Sequence, residues 1–350
     1  MDPESKTRRT AGEELRVDGG RLWESLMEMA RIGATSRGGV RRLALTEQDR
    51  AARELFRSWC AEEDCEVSVD RIGNLFARRQ GSDSARPPVV IGSHLDSQPT
   101  GGKFDGAYGV LAGLEVIRRL NELDIATKAP LEVAVWTNEE GARFAPAMLG
   151  SGAFAGVFDL DYALGRADAE GTSVREALDR IGYAGPTDVG GRSFRAHFEL
   201  HIVQGPVLEQ ESVAVGVVTG VQGIRWYDLE LEGAEAHAGP TPMHLRRDPV
   251  PVAARALEVI FEIARQRGPA ARATVGQISS EPSSRNTVPR WIRASVDFRH
   301  PEAPVLDEME VELRSLSQTL GGGGVRAGLT RVWASDPVCF DPGCVAAVRR

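Results

Sequence analysis

The chain has 350 residues, which exceeds one ordinary core and predicts about two domains of roughly 100 to 200 residues each. Apolar residues make up 42% and charged residues 26%, a balance that is typical of a globular protein and excludes a wholly disordered one. The net charge of −8 excludes a generally basic surface of the kind that binds nucleic acid, so we expect a small polar molecule as the partner.

The amino terminus and the cysteines indicate a cytoplasmic protein. Met1–Lys6 is polar and lacks the apolar core of a signal peptide, and no run approaches the roughly 18 apolar residues of a membrane span. The four cysteines, Cys60, Cys65, Cys339 and Cys344, have no zinc-type spacing and no nearby histidines. We therefore interpret them as unreactive thiols and expect no membrane partner.

The first half of the chain predicts a strand-helix-strand crossover unit of an α/β sheet. After a charged leader over 1–20, the predicted elements are helices over 22–29 and 47–62, strands over 65–70, 74–78 and 89–91, a helix over 106–123 and a strand over 131–136. Ligands of such sheets gather beyond the carboxyl ends of the strands. The polar residues just past those ends are His94, Asp96, Glu139 and Glu140.

From Ala214 the pattern changes to that of a compact split sheet with helices on one side. The predicted elements are strands over 214–219 and 223–231, a helix over 249–267, strands over 273–278 and 291–298, a helix over 304–320 and a strand over 325–333. This order is that of an α+β, ferredoxin-like domain. We assign 21–213 to a first domain, 214–328 to an inserted domain and 329–350 to the start of a segment that returns to the first domain.

The polar residues at the strand ends predict a divalent metal site. His94 and Asp96 point the same way on extended backbone, so that a carboxylate can hold the imidazole tautomer that leaves the other nitrogen free for a metal. Asp105 precedes a helix, where it either caps the helix or bridges two cations. Glu139 and Glu140 are either a solvated strand end or a functional pair, in which one carboxylate binds a metal and the other acts on water.

Candidates on later segments leave more than one interpretation open. His197, Glu199 and His201 share one face of a predicted strand, so any of them could point at the site, and the strand alone does not choose. Arg299 is either a surface charge or a fork for a substrate carboxylate.

Taken together, these segments resemble the carbamoylase and allantoate amidohydrolase branch of the aminoacylase and carboxypeptidase-G-like metallohydrolases. The segments that carry the resemblance are GSHLDS at 92–97, FDG at 104–106, TNEEGARF at 137–144, ELHIVQG at 199–205, AHAGPTPM at 236–243 and RNTVP at 285–289. Their order also agrees, from near Arg31 to at least Pro301. The resemblance implies a di-zinc exopeptidase-like catalytic domain with an inserted lid that also forms a homodimer contact.

The same resemblance implies two divalent ions per subunit, either zinc or, in its place, manganese, cobalt or nickel. The implied metal ligands are His94 and His201 for one ion, Asp105 as the bridge and Glu140 for the second ion. The implied catalytic residues are Glu139 as the general base, Asp96 as the residue that orients His94, and His237 as the oxyanion donor to a partner subunit. The implied substrate-binding residues are Gln204, Asn286 and Arg299.

The implied activity is hydrolysis of a non-peptide linear amide C–N bond in a small substrate with a carboxylate, an N-carbamoyl-L-amino acid. Allantoate and β-ureidopropionate are alternatives with the same chemistry. Aminoacylase or dipeptidase chemistry is disfavoured by His201, because those branches place an acidic ligand there.

Two departures from the family pattern affect these expectations. Val203 stands where members usually carry Glu, and we expect it to alter the tuning of the neighbouring ligands. The family's last histidine ligand has no counterpart after His300, so we expect the chain to lack a carboxyl-terminal part of the catalytic domain. A weaker second metal site and an exposed strand edge would follow. The non-catalytic alternative is a dimerising remnant without turnover.

Overall fold

The structure, a computed structural model, describes residues 15–350. The chain divides into two compact units, Met1–Glu211 and Ser212–Arg350. Most of the leader predicted for 1–20 lies outside the described residues. The first helix begins at Gly19, three residues before the predicted Leu22, because the Asp18 side chain accepts a hydrogen bond from the backbone N–H of Arg21 and caps the helix there.

A five-stranded mixed sheet forms the centre of the first unit. Its strands are β1 (Glu66–Val69), β2 (Leu75–Arg79), β3 (Val89–His94), β4 (Leu131–Trp136) and β5 (Ala196–Phe198), in the spatial order β1-β2-β4-β3-β5. β3 pairs in parallel with both β4 and β5, whereas β2 pairs antiparallel with β1 and β4. The predicted crossover unit is therefore confirmed. β5 ends at Phe198 and is shorter than the alternating pattern through His201 suggests.

The helices of the first unit cover both faces of this sheet unequally. They are α1 (Gly19–Met29), α2 (Glu47–Glu62), α3 (Ala107–Glu122), α4 (Leu149–Phe154), α5 (Leu160–Leu164), α6 (Val174–Ile181) and α7 (Val207–Gln210). The larger core includes Phe56, Leu95 and Val133, and a smaller cluster surrounds Phe76 and Trp136. Full burial of one such large apolar side chain contributes about 1.5–3 kcal/mol, so the larger core dominates the stability of this unit.

The second unit is an antiparallel sheet with two long helices. Its elements are β6 (Gly220–Val221), β7 (Gly223–Glu232), β8 (Ala236–His237), a short 3-10 helix (Met243–Leu245), α8 (Val250–Arg265), β9 (Arg272–Thr274), β10 (Ile278–Glu281), β11 (Thr287–Val288), β12 (Trp291–His300), α9 (Ala303–Thr319), β13 (Arg326–Ser335), β14 (Val338–Cys339) and α10 (Pro342–Arg349). The main sheet has the order β10-β12-β7-β13, and β9 also pairs with β12. The predicted order of long strands and helices agrees with this fold.

Three predictions about the second unit differ from the structure. The strand predicted over 214–219 is wrong, since Val215 and Val218 are exposed and the next strand begins only at Gly220. The strand predicted over 273–278 is two short strands, β9 and β10. β13 crosses the predicted boundary at 328/329, because it pairs with β7 through Ser335.

Among residues 15–350, no helix has both the length and the apolar character that crossing a lipid bilayer requires.

Candidate metal centre

His94 ends β3 and is buried, with 2% of its surface exposed. Its Nδ1 lies 2.9 Å from the backbone carbonyl oxygen of Asp96, which can only accept a hydrogen bond, so in the neutral ring Nδ1 carries the proton and Nε2 the lone pair. The Asp96 carboxylate, which we expected to orient the ring, is 3.7 Å from Nδ1. Asp96 therefore orients His94 mainly through its main chain, a distinction that residue types alone do not reveal.

The Asp96 carboxylate instead holds the turn that follows β4. Its Oδ1 and Oδ2 accept hydrogen bonds from the backbone N–H groups of Glu139 and Glu140, each at 3.2 Å. Burial raises the pKa of Asp96, against the opposing effect of His94. One buried carboxylate thus fixes the backbone of both adjacent acidic residues.

Glu139 and Glu140 point at different neighbours. Glu139 Oε2 lies 3.4 Å from His94 Nε2, and burial together with the charges of Asp96 and Glu140 raises the pKa of Glu139 despite the nearby imidazole. The Glu140 carboxylate accepts a 2.8 Å hydrogen bond from Gln98 Nε2. Glu140 Oε1 is buried and has no hydrogen-bond partner among the described residues. The two carboxylates thus contact different partners, and Oε1 of Glu140 is left for another ligand.

Asp105 and His201 complete a cluster with His94. One ligand atom of each of the three residues lies within 4.8 Å of the other two. His201 Nε2 is 3.5 Å from Asp105 Oδ1, which is buried and without a hydrogen-bond partner in the described part of the chain. The capping alternative for Asp105 is wrong, because the N-cap of α3 is Gly106 and no side chain caps that helix.

Gly106 allows α3 to begin directly against the imidazole. It has φ +64°, and a Cβ at this position would lie 2.5 Å from the His94 carbonyl oxygen and 2.6 Å from the His94 ring. Both the left-handed backbone and this contact require glycine. The Phe104-Asp105-Gly106 segment is therefore shaped by its approach to His94.

Buried polar residues behind β4 support the turn and were not identified from the sequence. Thr137 N–H donates to Asn74 Oδ1 at 3.0 Å, and Asn74 Nδ2 donates to the Gly150 carbonyl oxygen at 3.1 Å. Arg53 Nη2 donates to Thr137 Oγ1 at 3.3 Å and also forms an ion pair with Asp49 at 3.0 Å. Gln98 was missed as well, although its place two residues after Asp96 was a usable signal.

The remaining candidates of the first unit have other contacts. His197 packs against the Trp136 ring, with ring centroids 6.0 Å apart, and Glu199 accepts a 2.5 Å hydrogen bond from Ser93 Oγ. Of the three residues on the predicted strand face, His201 is the one in the cluster. Gln204 Nε2 donates to Asp105 Oδ2 at 2.8 Å, and its substrate-binding role stays a prediction.

In the second unit, His237 and Asn286 lie close together, whereas Arg299 has different contacts. His237 pairs with Thr287 between β8 and β11, and the Asn286 carbonyl oxygen accepts the N–H of Ala238 at 2.9 Å. Arg299 lies near the end of β12, where its guanidinium pairs with Asp297 at 2.8 Å. The roles predicted for these three residues stay predictions.

The donor set of the cluster fits a divalent cation. Imidazole nitrogens and carboxylate oxygens are ligands that zinc and similar ions accept, and the unpartnered oxygens of Asp105 and Glu140 are costly to bury without a cation. The residues of the cluster that would hold metal are therefore His94, Asp105 and His201, and the role of Glu140 as a ligand stays a prediction. An α/β fold with such a donor set at its strand ends is an arrangement that metal-dependent hydrolases use.

Comparisons with known proteins agree with this class. The sequence pattern of Peptidase family M20/M25/M40 matches residues 90–350. The chain is 49% identical to the N-carbamoyl-L-amino-acid amidohydrolase of Rhizobium meliloti over 97% of this chain and 82% of that one. It is 34% identical to the allantoate amidohydrolase of Bacillus subtilis, over 91% of this chain and 78% of that one.

A solved structure gives the same result for the fold. The crystal structure of a hydantoinase/carbamoylase family amidase from Burkholderia multivorans has a TM-score of 0.88 and 53% identity, over 96% of this chain and 82% of that one. The chain therefore belongs to peptidase family M20/M25/M40, in the carbamoylase and allantoate amidohydrolase branch that its motifs indicated.

Proposed function

We propose that the chain hydrolyses N-carbamoyl-L-amino acids to the free amino acid, ammonia and carbon dioxide. The observation that carries the proposal is the convergence of His94, Asp105 and His201 in a chain that is 49% identical to an enzyme of that name. We further propose that the site takes two divalent ions, zinc or alternatively manganese, cobalt or nickel. The unpartnered oxygens of Asp105 and Glu140 support a second ion beside the one at the histidines.

Divalent ions, when bound, acidify water and polarise a carbonyl oxygen. In the proposed mechanism, Glu139 takes the proton from the attacking water and passes it to the leaving nitrogen. The raised pKa of Glu139 supports this role, because a general base works best when its pKa approaches the operating pH. Asp96 holds Glu139 in place through the backbone N–H.

His237 would stabilise the oxyanion, and its hydrogen bonding supports a donor role. Its Nδ1 accepts the N–H of Gly239 at 3.1 Å, so the proton of the neutral ring resides on Nε2, which can donate to a substrate oxygen. We propose that it does so in the site of a second copy, in a homodimer formed through 214–328. Gln204, Asn286 and Arg299 would bind the substrate carboxylate and amide, and a cytoplasmic location is part of the same proposal.

Allantoate is the second candidate substrate, favoured by the 34% identity to the allantoate amidohydrolase of Bacillus subtilis. It shares a ureido group and a carboxylate with the carbamoyl amino acids. The same catalytic residues would serve both, so the two candidates differ only in the fit of the rest of the substrate. β-Ureidopropionate stays a further prediction.

The test is ammonia release by the metal-depleted chain after addition of zinc, manganese or cobalt. The substrates are N-carbamoyl-L-amino acids, allantoate and β-ureidopropionate, each assayed separately. Turnover of the carbamoyl amino acids above the other two supports the proposal, and a higher kcat/KM for allantoate transfers it to the second candidate. Absence of turnover with every metal and substrate favours the dimerising remnant.

Glu139→Gln separates the general base from metal binding. We expect it to keep the metal content while it lowers kcat by about 100-fold to 10,000-fold, the usual contribution of general base catalysis. An unchanged kcat would show that another group takes the proton.

A further inference from the structure

The backbone pairing between β3 and β5 stops before it reaches the two histidines of the cluster. The parallel register runs from Val89–Ala196 to Ile91–Phe198. His94 is three residues past Ile91, and His201 is three residues past Phe198, so the same register would set the two histidines opposite each other. The His201 side chain, however, is 41% exposed and lies beyond the last residue of β5 that pairs with β3. Contacts other than the β3–β5 backbone pairing must therefore fix its position relative to His94.

Beyond the last backbone pair of β3 and β5, a side-chain hydrogen bond joins the two segments. Ser93 Oγ donates to Glu199 Oε1 at 2.5 Å. Ser93 directly precedes His94 and is 1% exposed, whereas Glu199 is exposed and lies two residues before His201. A hydrogen bond to a charged acceptor is short and about twice as strong as a neutral one. The bond therefore joins the two histidine-bearing segments between the last backbone pair and the two ligands.

The start of α3 contacts both segments at the same place. A Cβ at Gly109 would lie 2.7 Å from the Leu200 carbonyl oxygen and 2.8 Å from Ser93 Cβ. The residues next to His94 and His201 are thus packed against one turn of helix. Beside this packing, the Ser93–Glu199 hydrogen bond is a direct side-chain link between the 199–201 segment and the end of β3.

We propose that Ser93 and Glu199 are positioning residues whose hydrogen bond sets the separation of His94 and His201 and thereby the affinity of the cluster for a divalent ion. The inference rests on the proposed function of the cluster as a metal site. Partners that orient metal ligands contribute about 10-fold to 100-fold in metal affinity, and the same range is expected here. Neither residue touches the reacting atoms in this role.

The test measures the zinc dissociation constant of the full chain by competition with a chelator. Ser93→Ala and Glu199→Ala are each expected to raise it by about 10-fold or more. Glu199→Gln keeps an oxygen that can accept from Ser93, so it is expected to retain most of the affinity. The zinc dissociation constant of the double variant is expected to be no higher than that of the single variant that binds zinc more weakly, because both substitutions remove the same bond. Replacing zinc by cobalt gives a second readout, since the visible absorption reports the geometry of the ligands.

A matched control exists on α6. Ser173 Oγ donates to Glu176 Oε2 at 2.8 Å in an exposed capping box of the same unit. Ser173→Ala is expected to lower the melting temperature while it leaves the zinc dissociation constant unchanged. If Ser93→Ala does the same, the pair serves folding alone and the inference is overturned. Multiplicative effects in the double variant would also overturn it.

The two levels of the proposal fail in different ways. Zinc binding that is absent, or that His94→Ala does not weaken, refutes the metal site itself and the inference with it. Zinc binding that depends on His94 but is unchanged in Ser93→Ala and Glu199→Ala refutes only the positioning role.

Discussion

A charge pair on α2 of the first unit and a charge pair on the exposed face of the second unit's sheet differ in burial. In the first unit, the ion pair of Asp49 and Arg53 is 0% and 1% exposed. On β7 and β12, Glu230 and Arg293 pair at 3.0 Å with 48% and 52% exposure. Burying a charge pair costs solvation that the attraction only partly offsets, whereas an exposed pair costs little. The buried Asp49–Arg53 pair therefore bears a solvation cost that the exposed Glu230–Arg293 pair does not.

The same difference appears in what the charged groups contact. Arg53 donates to the Gly73 carbonyl oxygen and to Thr137, just before the two acidic residues of the turn. Arg293 contacts Glu230 and Glu281 on neighbouring strands. The buried Arg53 side chain holds the backbone at Gly73 and the side chain of Thr137, close to the candidate metal centre. The exposed pairs of Arg293 add solubility and a small cross-strand attraction.

The largest expected effect comes from breaking the buried pair. Arg53→Ala leaves Asp49 buried without its cation and should lower the free energy of unfolding by about 3–5 kcal/mol. Denaturant unfolding followed by circular dichroism measures this loss. A loss below about 1 kcal/mol would mean that the pair behaves like a surface pair, and the comparison would fail.

Gly106→Ala should have an intermediate effect on stability and a specific effect on metal. The added Cβ would meet the His94 carbonyl oxygen and ring, and the left-handed φ adds about 1–3 kcal/mol of strain. Gly171 has φ +84° with open space around it, so Gly171→Ala is a control for strain alone. We expect a weaker zinc affinity for Gly106→Ala only. Equal zinc affinities in the two variants would show that the close approach to His94 is unimportant.

Arg293→Ala should have the smallest effect. Removing one partner of an exposed pair is expected to change the free energy of unfolding by less than about 1 kcal/mol and to leave ammonia release unchanged. The measurement is the same denaturant titration with a parallel assay. A loss as large as that of Arg53→Ala would abolish the distinction between the two regions.

The sequence predicted most of the fold because its long elements have clear periodicity. The helix over 47–62 and the strand over 131–136 have the predicted bounds, since apolar residues recur at the helical spacing in one and run continuously in the other. The segment 214–219 failed because its valines alternate like a strand but have no buried face to pack against. Local pattern does not report whether a partner surface exists.

The candidate site was predictable where motif residues lie close to strand ends. His94, Asp105 and His201 meet as a cluster, and Glu139 and Glu140 contact different neighbours. Asn74 and Arg53 were not predictable, because their contacts with Thr137 join residues 63 and 84 positions apart. The use of the Asp96 carbonyl in place of its carboxylate depends on a rotamer and a backbone angle, which residue types do not specify.

The most direct test of the account is the divalent metal content of the purified chain, measured by elemental mass spectrometry beside His94→Ala and His201→Ala. The account predicts that the wild-type chain binds zinc stoichiometrically and that each histidine substitution removes metal from the cluster while the fold, followed by circular dichroism, persists. Equal metal content in the folded wild-type chain and both folded variants would contradict it.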